Sequence, residues 1–555
     1  MIFMLRNLVK LCPKSWFILN KNVHSVIPNL VIPTISLEEC IWKNIEKWHS
    51  RTALICAETN RRYTYLEVYN KTNSLAHFLY NFDKLNKSDT IASILPNLPE
   101  NAIIYLGAIE AGFKISCINP SLTPDEMGRQ LIQADTKMVF TTSEAYKNVF
   151  HATQLSKLQI PIIVLKVKEE TQLPNETIDF NDTLRHVHKV RLNLRKNHED
   201  TIMILFSSGT TGYPKAVEIT NKNVVSNLLQ LSTLDFNAFV PADEFHQEVV
   251  PIVAPMYHVL GIMVLLLKGL LNGCKLVTIP KFTLKLFLNT LEQHKASVLY
   301  GAPPIIHLLL SNEHVKQSHL ASLKTIVSGA APLKAVDVTK LLDKLNGRVN
   351  VLQGYGLTEI TAVSHLQTPS IENGIKPGGI GLLVPGTEAK ILSPDGEELG
   401  ANKTGELILR GPQVVKGYYN NEQATKESFS SDGWFKTGDL GHYDEDDHFF
   451  ITDRIKDLIK VKGYQVAPGE LEELMRHHPD IADVAVIGVS HDKFGEVPKA
   501  FVVPKHDSKI TSTDIQEYVN NRVVNYKRLV GGVVFIESVP KSPAGKILKK
   551  ELKHL

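Results

Sequence analysis

Apolar positions in the first two thirds of the chain follow two alternating periods. Short apolar runs at 91–95 and 137–140 are typical of buried strands. Between such runs, segments 65–80 and 99–111 carry apolar residues at the i, i+3 and i+4 spacing of an amphipathic helix. Because strands and helices alternate in this way, we predict a large N-terminal domain built on parallel-rich α/β sheets with helices.

The pattern changes after Gly374, where glycine and proline become frequent. Short β runs at 389–392 and 406–409 predict antiparallel hairpins that form a small β-barrel-like subdomain. Beyond residue 455, a unit of about 100 residues predicts a compact α+β domain. Its order is helix, strand, strand, helix and strand, at residues 468–477, 484–489, 500–504, 513–526 and 533–536. The predicted fold class is therefore α/β, with a large domain over 38–455 and a small C-terminal domain over 456–555.

The composition is ordinary for a globular protein, with 43% hydrophobic and 21% charged residues in 555. The 61 basic residues nearly balance the 58 acidic ones, so the net charge of +3 predicts no nucleic-acid partner. The five cysteines are scattered without a C-x-x-C pair, which argues against a disulfide framework or a structural zinc site. No uninterrupted apolar stretch of about 20 residues is present, so we predict no transmembrane segment.

Both ends of the chain have features of targeting segments. Residues 1–37 are basic, amphipathic and free of acidic residues, a composition that predicts either a mitochondrial transit peptide or an extension of the fold. The terminal Lys553, His554 and Leu555 partly resemble a peroxisomal address. We therefore expect a mitochondrial location, with the peroxisome or the cytoplasm as alternatives.

A run of hydroxyl and glycine residues follows the predicted strand 202–206 and ends at a lysine. Glycine lets backbone N–H groups approach a phosphate, hydroxyls add donors, and the lysine adds positive charge. Only two residues separate the two glycines, so the spacing is not that of a Walker A loop. The loop predicts a phosphate-binding site formed by Ser207, Ser208, Gly209, Thr210, Thr211 and Lys215.

This loop resembles the signature loop of the adenylate-forming superfamily. The superfamily includes acyl-CoA synthetases, 4-coumarate–CoA ligases, beetle luciferases and the adenylation domains of nonribosomal peptide synthetases. One departure is Ala216, where glycine is usual. Segments 328–332 and 353–359 resemble the adenine-side segment and the nucleotide and metal motif of the same family, in the same order. The resemblance implies an enzyme that activates a small carboxylic acid with ATP and Mg²⁺.

The resemblance also implies a role for each matching residue. Tyr355 would stack on adenine, Thr358 would bind a phosphate oxygen, and Glu359 would hold Mg²⁺, a cation that prefers carboxylate oxygen. Asp439 and Arg454 would contact the ribose. The remaining nucleotide-site positions implied by these motifs are Gly329, Ala330, Ala331, Gln353, Gly354 and Gly356.

Three further positions are assigned to the reaction itself. Lys546 matches the family lysine that reaches the reacting carboxylate and the α-phosphate, where a fixed cation between two anions lowers the barrier. Lys462 matches a residue of the second half-reaction, and His258 matches a position beside the acyl carboxylate. Lys456 matches the hinge about which a mobile C-terminal domain turns between the two half-reactions.

The function implied first is that of an acid–CoA ligase. The acid and ATP would give acyl-AMP and pyrophosphate, and the thiol of coenzyme A would then displace AMP. The small Ala330 and Ala362 and the apolar Val259, Leu260 and Ile262 favour a medium- or long-chain fatty acid, followed by an aryl-propenoic acid.

Other functions fit the motifs less well. A luciferase-like monooxygenase is disfavoured because Asn227 and Ala362 stand where those enzymes carry arginine and serine. An inactive relative would be expected to have lost Lys546, Glu359 or Asp439, and all three are present. A peptide-synthetase module is disfavoured because only nine residues follow Lys546, which leaves no room for a carrier domain.

Overall fold

The computed structural model describes residues 23–25, 30–168, 171–188, 190–192, 194, 196–207, 214–331, 333–461, 464–542, 546–553 and 555. Several predicted features lie outside these ranges. They are most of the N-terminal extension, the loop residues Ser208, Gly209, Thr210 and Thr211, the coenzyme A-side Lys462, and His554 of the C-terminal tripeptide.

The largest sheet follows the predicted alternation of strands and helices. Its central strands pair in parallel, and an antiparallel hairpin made by Thr201–Ser207 and Lys215–Thr220 lies toward one edge. The helix Tyr65–Tyr80 has the predicted bounds because Thr64 and Glu67 form a capping box at its start. The described strand order is Gly417–Tyr418, Lys215–Thr220, Thr201–Ser207, Lys114–Cys117, Thr90–Ile94, Thr136–Thr142, Ile162–Leu165 and Ile178–Asp179.

Two smaller mixed sheets complete the α/β part of the large domain. In each, strands that pair in parallel are extended at one edge by antiparallel pairing. One has the described order Val249–Ile252, Lys275–Thr278, Thr52–Cys56 and Arg62–Thr64. The other has the described order Val298–Gly301, Thr325–Ser328, Asn350–Tyr355, His365–Leu366 and Leu382–Leu383.

The glycine-rich region forms the predicted antiparallel hairpins. The described strands run in the order Val23–His24, Glu388–Leu392, Gly405–Arg410, Phe435–Tyr443 and Phe449–Arg454. Within the described residues, no pairing joins the first strand to the last, so the barrel-like subdomain is an open, single-layered sheet with its own hydrophobic cluster.

Helices cover the sheets of the large domain. The α-helices are Leu37–Trp42, Ile45–Trp48, Tyr65–Tyr80, Glu100–Glu110, Pro124–Gln133, Tyr146–Leu155, Asn221–Gln230, Lys268–Leu271, Leu284–Gln293, Pro303–Ser311, Gln317–Leu320, Ala335–Lys344 and Glu422–Ser428. Short 3₁₀ turns occur at Phe180–Leu184 and Thr358–Ile360, and Leu260–Leu267 is a π-helix. Across the part of the chain that the structure describes, no helix is both long and apolar enough to cross a membrane.

The C-terminal unit has the predicted α+β order and a separate hydrophobic core. Its described strands are Ile459–Val461, Tyr464–Val466, Ile481–His491, Gly495–Pro504 and Val533–Phe535, and its helices are Pro468–Arg476, Ser512–Asn520 and Lys549–Leu552. Polar contacts between described residues join this unit to the preceding part of the chain. Lys334 pairs with Glu473, and the Gly469 N–H donates to Asp453 Oδ2 at 2.7 Å. Its core clusters contain only residues from 459 onward.

One predicted helix is too long. The structure ends the helix predicted over 513–526 at Asn520 and forms a separate 3₁₀ turn at Asn525–Lys527. Residues 521–524 separate the two segments, and two of them, Val523 and Val524, are β-branched residues, which lose side-chain freedom in a helix.

Candidate active site

A large cavity opens where strand ends of the large domain meet the C-terminal unit. Its volume is about 1210 Å³. The strand ends Ser207, Ser328 and Tyr355 line it from the large domain, as does the turn at Thr358 and Glu359. Lys541, Ser542 and Lys546 line it from the C-terminal side. Parts of the chain that are far apart in sequence therefore converge on one space.

The predicted phosphate loop begins and ends at a hairpin beside this cavity. Ser207 and Lys215 are directly opposed in the strand register, so the intervening loop leaves and re-enters the sheet at one point. Lys215 Nζ lies 4.7 Å from the centre of the Tyr418 ring, a cation–π contact that orients the ammonium group. The buried Ser207 Oγ has no hydrogen-bond partner among the described residues.

Tyr418 also fixes the predicted metal ligand. Its hydroxyl donates to Glu359 Oε1 at 3.1 Å, and Glu359 is only 8% exposed. Burial, followed by the negative charge of Glu359, raises the pKa of Tyr418. Tyr418 was not among the residues singled out from the sequence, although it lines the cavity and contacts two of them.

The turn that carries Thr358 and Glu359 is strained and tightly packed. Thr361 and Ala362 adopt positive φ angles of 52° and 108°, and non-glycine residues in such conformations cost about 1–3 kcal/mol each. Gly356 is required here because a Cβ atom at this position would lie 1.4 Å from the Ala362 carbonyl oxygen. Ala330, on another wall of the cavity, also has a positive φ of 68°.

Asp439 joins two residues that line the cavity. It lies opposite Arg454 in the antiparallel register, and Arg454 Nε is 2.9 Å from its Oδ1. The Tyr355 hydroxyl donates to Asp439 Oδ2 at 2.6 Å. Both oxygens of Asp439 are therefore engaged with protein groups. The residue is 2% exposed and lies behind the cavity wall. Burial and the adjacent carboxylate raise the pKa of Tyr355.

Lys546 reaches the same place from the C-terminal unit. The Lys546 N–H donates to Ser542 Oγ at 3.2 Å, and the Ser542 N–H donates to the Lys546 carbonyl at 2.8 Å, so the segment folds back on itself. Burial lowers the pKa of Lys546 to about 8, with the positive charges of Arg454 and Lys456 as further causes.

This pKa predicts an alkaline limit on activity. Lys546 is protonated below pH 8 and loses its charge as the pH rises through that value, so we expect kcat/KM for the acid to fall above about pH 8. Bound ATP adds negative charge near the ammonium group, which moves the limit in kcat to higher pH. Arginine stays charged over this range. The residual activity of Lys546→Arg should therefore lack the limit, and an identical profile in both proteins would assign it to another group.

His258 lines the cavity next to apolar residues. Burial lowers its pKa to about 4, so the imidazole is neutral at physiological pH. Its ring centre lies 4.8 Å from that of Tyr257, and the π-helix Leu260–Leu267 follows immediately. Leu260 and Val264 of this helix line the cavity, so His258 is close in sequence to apolar lining residues.

The structure brings most predicted residues to the cavity but places some behind it. Ser207, Lys215, Gly329, Ala330, Gly354, Gly356 and Arg454 line it together with the residues described above. Gln353 does not: its Oε1 accepts from the Leu333 N–H at 3.0 Å, so its place in the fold is that of a buried connector. Ala331 and Lys456 are also absent from the lining, Lys456 lying in the 3₁₀ turn Ile455–Asp457. Lining residues that were not predicted include Glu406, Lys436 and Thr437, the last two on the strand Phe435–Tyr443 that also carries Asp439.

Comparison with protein families gives two matches. Residues 41–419 match the family described as AMP-binding enzyme, and residues 470–546 match the AMP-binding enzyme C-terminal domain. Together these matches cover most of the chain, and the second lies within the C-terminal unit.

Known proteins resemble the chain over nearly its whole length. It is 35% identical to 4-coumarate–CoA ligase 1 of Arabidopsis thaliana, over 95% of this chain and 94% of the relative. It is also 35% identical to a probable 4-coumarate–CoA ligase 1 of Dictyostelium discoideum, over 95% of this chain and 97% of the relative. Among solved structures, ATP-bound MatB of Rhodopseudomonas palustris superposes with a TM-score of 0.83 and 25% identity, over 94% of this chain and 99% of that one.

These matches confirm the expected α/β fold and the expected enzyme class, an AMP-forming acid–thiol ligase. The chain belongs to the AMP-binding enzyme family, the adenylate-forming superfamily that its motifs resemble.

Proposed function

We propose that this enzyme is an aryl acid–CoA ligase, which activates an aromatic acid as its acyl-adenylate and passes the acyl group to coenzyme A. The observation that carries the proposal is the continuous cavity, in which Thr358, Glu359 and Lys546 share one space with an apolar region beyond His258. ATP and an acid with an uncharged body therefore have adjoining places in it.

The acid-binding region is apolar throughout its described walls. Its side chains belong to the main hydrophobic cluster of the large domain or pack against it, and they include Leu231, Leu260, Val264, Tyr300, Val327 and Val363. His258, held neutral by burial, is the titratable group at its entrance. A second charged group on the acid would lose its hydration here without an ion-pair partner, so acids with one carboxylate are favoured.

The charged residues suit the adenylation step. The carboxylate attacks the α-phosphorus of ATP, a P–O bond forms, and pyrophosphate leaves with the electrons of the broken P–O bond. Lys546, fixed by its turn with Ser542, would offset the negative charge of both reactants. Glu359 would hold Mg²⁺, which neutralises phosphate charge when bound. A carboxylate in a cavity with room for phosphates suits this ion, because Mg²⁺ is usually bound by one or two carboxylates together with phosphates.

Aromatic acids are placed ahead of fatty acids, the reverse of the order expected from the sequence. The support is the 35% identity to 4-coumarate–CoA ligase over nearly the whole of both chains. A medium- or long-chain fatty acid is the second candidate, favoured by the aliphatic character of Leu260, Val264 and Val327.

The test is release of pyrophosphate and AMP by the purified enzyme with ATP and Mg²⁺. Aryl-propenoic, benzoic and C8–C16 fatty acids are compared, each with and without coenzyme A. We expect AMP release to require coenzyme A and kcat/KM to be highest with an aryl-propenoic acid. A maximum with a fatty acid would reject the aromatic preference, and pyrophosphate release that coenzyme A does not alter would reject thioester formation.

A further inference from the structure

Asn227 is almost completely buried at the back of the acid-binding region. It lies on the helix Asn221–Gln230 and is 1% exposed. Its Nδ2 donates to the Val363 carbonyl at 2.8 Å and to Gln230 Oε1 at 3.0 Å, while its Oδ1 accepts from the Val363 N–H at 3.3 Å. One carboxamide therefore holds both backbone polar groups of a single residue.

The backbone held in this way belongs to the strained turn. Val363 follows Thr361 and Ala362, the two residues with positive φ, and both Ala362 and Val363 line the cavity. A residue persists in such a conformation only when its surroundings impose it. The pair of hydrogen bonds to Val363 supplies that constraint on the C-terminal side of the turn.

A second set of contacts holds the other side. The Thr361 hydroxyl donates to the Gln413 carbonyl at 2.7 Å, and Gln230 Nε2 donates to Gln413 Oε1 at 3.0 Å. The Val415 N–H donates to the Glu359 carbonyl at 3.0 Å. Because Gln230 also accepts from Asn227, the turn is held by one connected network of buried amides.

We propose that Asn227 is a positioning residue that sets the acid-side wall formed by Ala362 and Val363. This inference rests on the proposed function, since that wall matters to catalysis only if the acid lies against it. Asn227 does not line the cavity, so it acts through the backbone of the turn and not by touching the acid.

The chain provides a matched control on the same helix. Asn221 is also buried, and its side chain also both accepts from and donates to the backbone. Its Oδ1 accepts from the Leu37 N–H at 2.8 Å, and its Nδ2 donates to the Ile35 carbonyl at 2.8 Å. Asn221→Ala therefore removes the same kind of contacts from the same helix without reaching the turn.

Steady-state kinetics separate a positioning role from a general loss of stability. We expect Asn227→Ala to raise KM for the acid about tenfold, from the loss of the two buried hydrogen bonds to Val363, with KM for ATP changed less than twofold. Asn221→Ala should lower the melting temperature about as much as Asn227→Ala does. It should leave KM for the acid and KM for ATP near their wild-type values. If the two variants have the same ratio of acid KM to ATP KM, the proposal is overturned.

A second measurement does not depend on turnover. Hydrogen–deuterium exchange of the peptide spanning 357–366 should be faster in Asn227→Ala than in the wild type or in Asn221→Ala. Unchanged exchange in that peptide would reject the role of Asn227 even if no acid is turned over. The proposed function would be rejected if the wild-type enzyme released no pyrophosphate with any acid. A difference in exchange between the wild type and Asn227→Ala would still support the role of Asn227 in holding the turn.

Discussion

Acyl-adenylate formation should slow about 10²–10³-fold when Lys546 is replaced by alanine, the range seen when one fixed group that stabilises developing charge is removed. The lysine is partly buried near the positive charges of Arg454 and Lys456, and it lines the cavity from the C-terminal unit. Pyrophosphate release measured at pH 7.5, with saturating ATP and acid, reports this step directly.

The control and the second half-reaction make the result specific. Lys527 lies in the same C-terminal unit and has a similarly shielded side chain, but it pairs with Glu470 at 2.7 Å away from the cavity, so Lys527→Ala should retain full activity. Thioester formation from preformed acyl-adenylate should be nearly unaffected by Lys546→Ala. Equal slowing of both half-reactions would instead indicate a damaged fold.

Removal of Asp439 should weaken ATP binding about 100-fold and lower the free energy of unfolding by about 3 kcal/mol. The first figure allows about a tenfold loss of affinity for each of the two cavity-lining residues, Arg454 and Tyr355, that Asp439 no longer holds in place. The second reflects the cost of leaving a partly buried guanidinium group and a buried phenol unpaired. Calorimetric titration of Asp439→Ala with ATP and denaturant unfolding measure the two effects.

Comparison with asparagine identifies the source of the effect. Asp439→Asn keeps an acceptor for Tyr355 but removes the charge opposite Arg454, so we expect about a tenfold loss of ATP affinity. Unchanged ATP affinity in the alanine variant, despite lower stability, would make Asp439 a purely structural link between two strands.

Much of the fold could be predicted because its elements are determined locally. The helix Tyr65–Tyr80 combines a capping box with an amphipathic period, and both are visible in the sequence. The π-helix Leu260–Leu267 could not be predicted in this way, because the sequence there is apolar on all sides and contains no period. A close approach of the backbone is a further requirement there: a Cβ at Gly261 would lie 2.1 Å from the carbonyl oxygen of Pro255, six residues earlier.

The candidate site shows the same limit. Lys215, Glu359 and Lys546 belong to sequence motifs, and the structure places all three around one cavity. Tyr418 and Asn227 belong to none, and their contacts with Glu359 and Val363 arise only when separate segments pack together. For Asn227 the sequence indicated a departure from luciferases, but the bonds that this residue makes were visible only in three dimensions.

The small C-terminal core, separate from those of the large domain, allows two properties of the enzyme to evolve independently. Changes inside that core alter the stability of the C-terminal unit that carries Lys546, without altering the cores of the large domain. Changes at Lys334 or Glu473, a partly exposed pair worth up to about 1 kcal/mol, alter how strongly the unit is held against the preceding part of the chain. This contact can therefore change through surface charge while the residues that line the cavity stay the same.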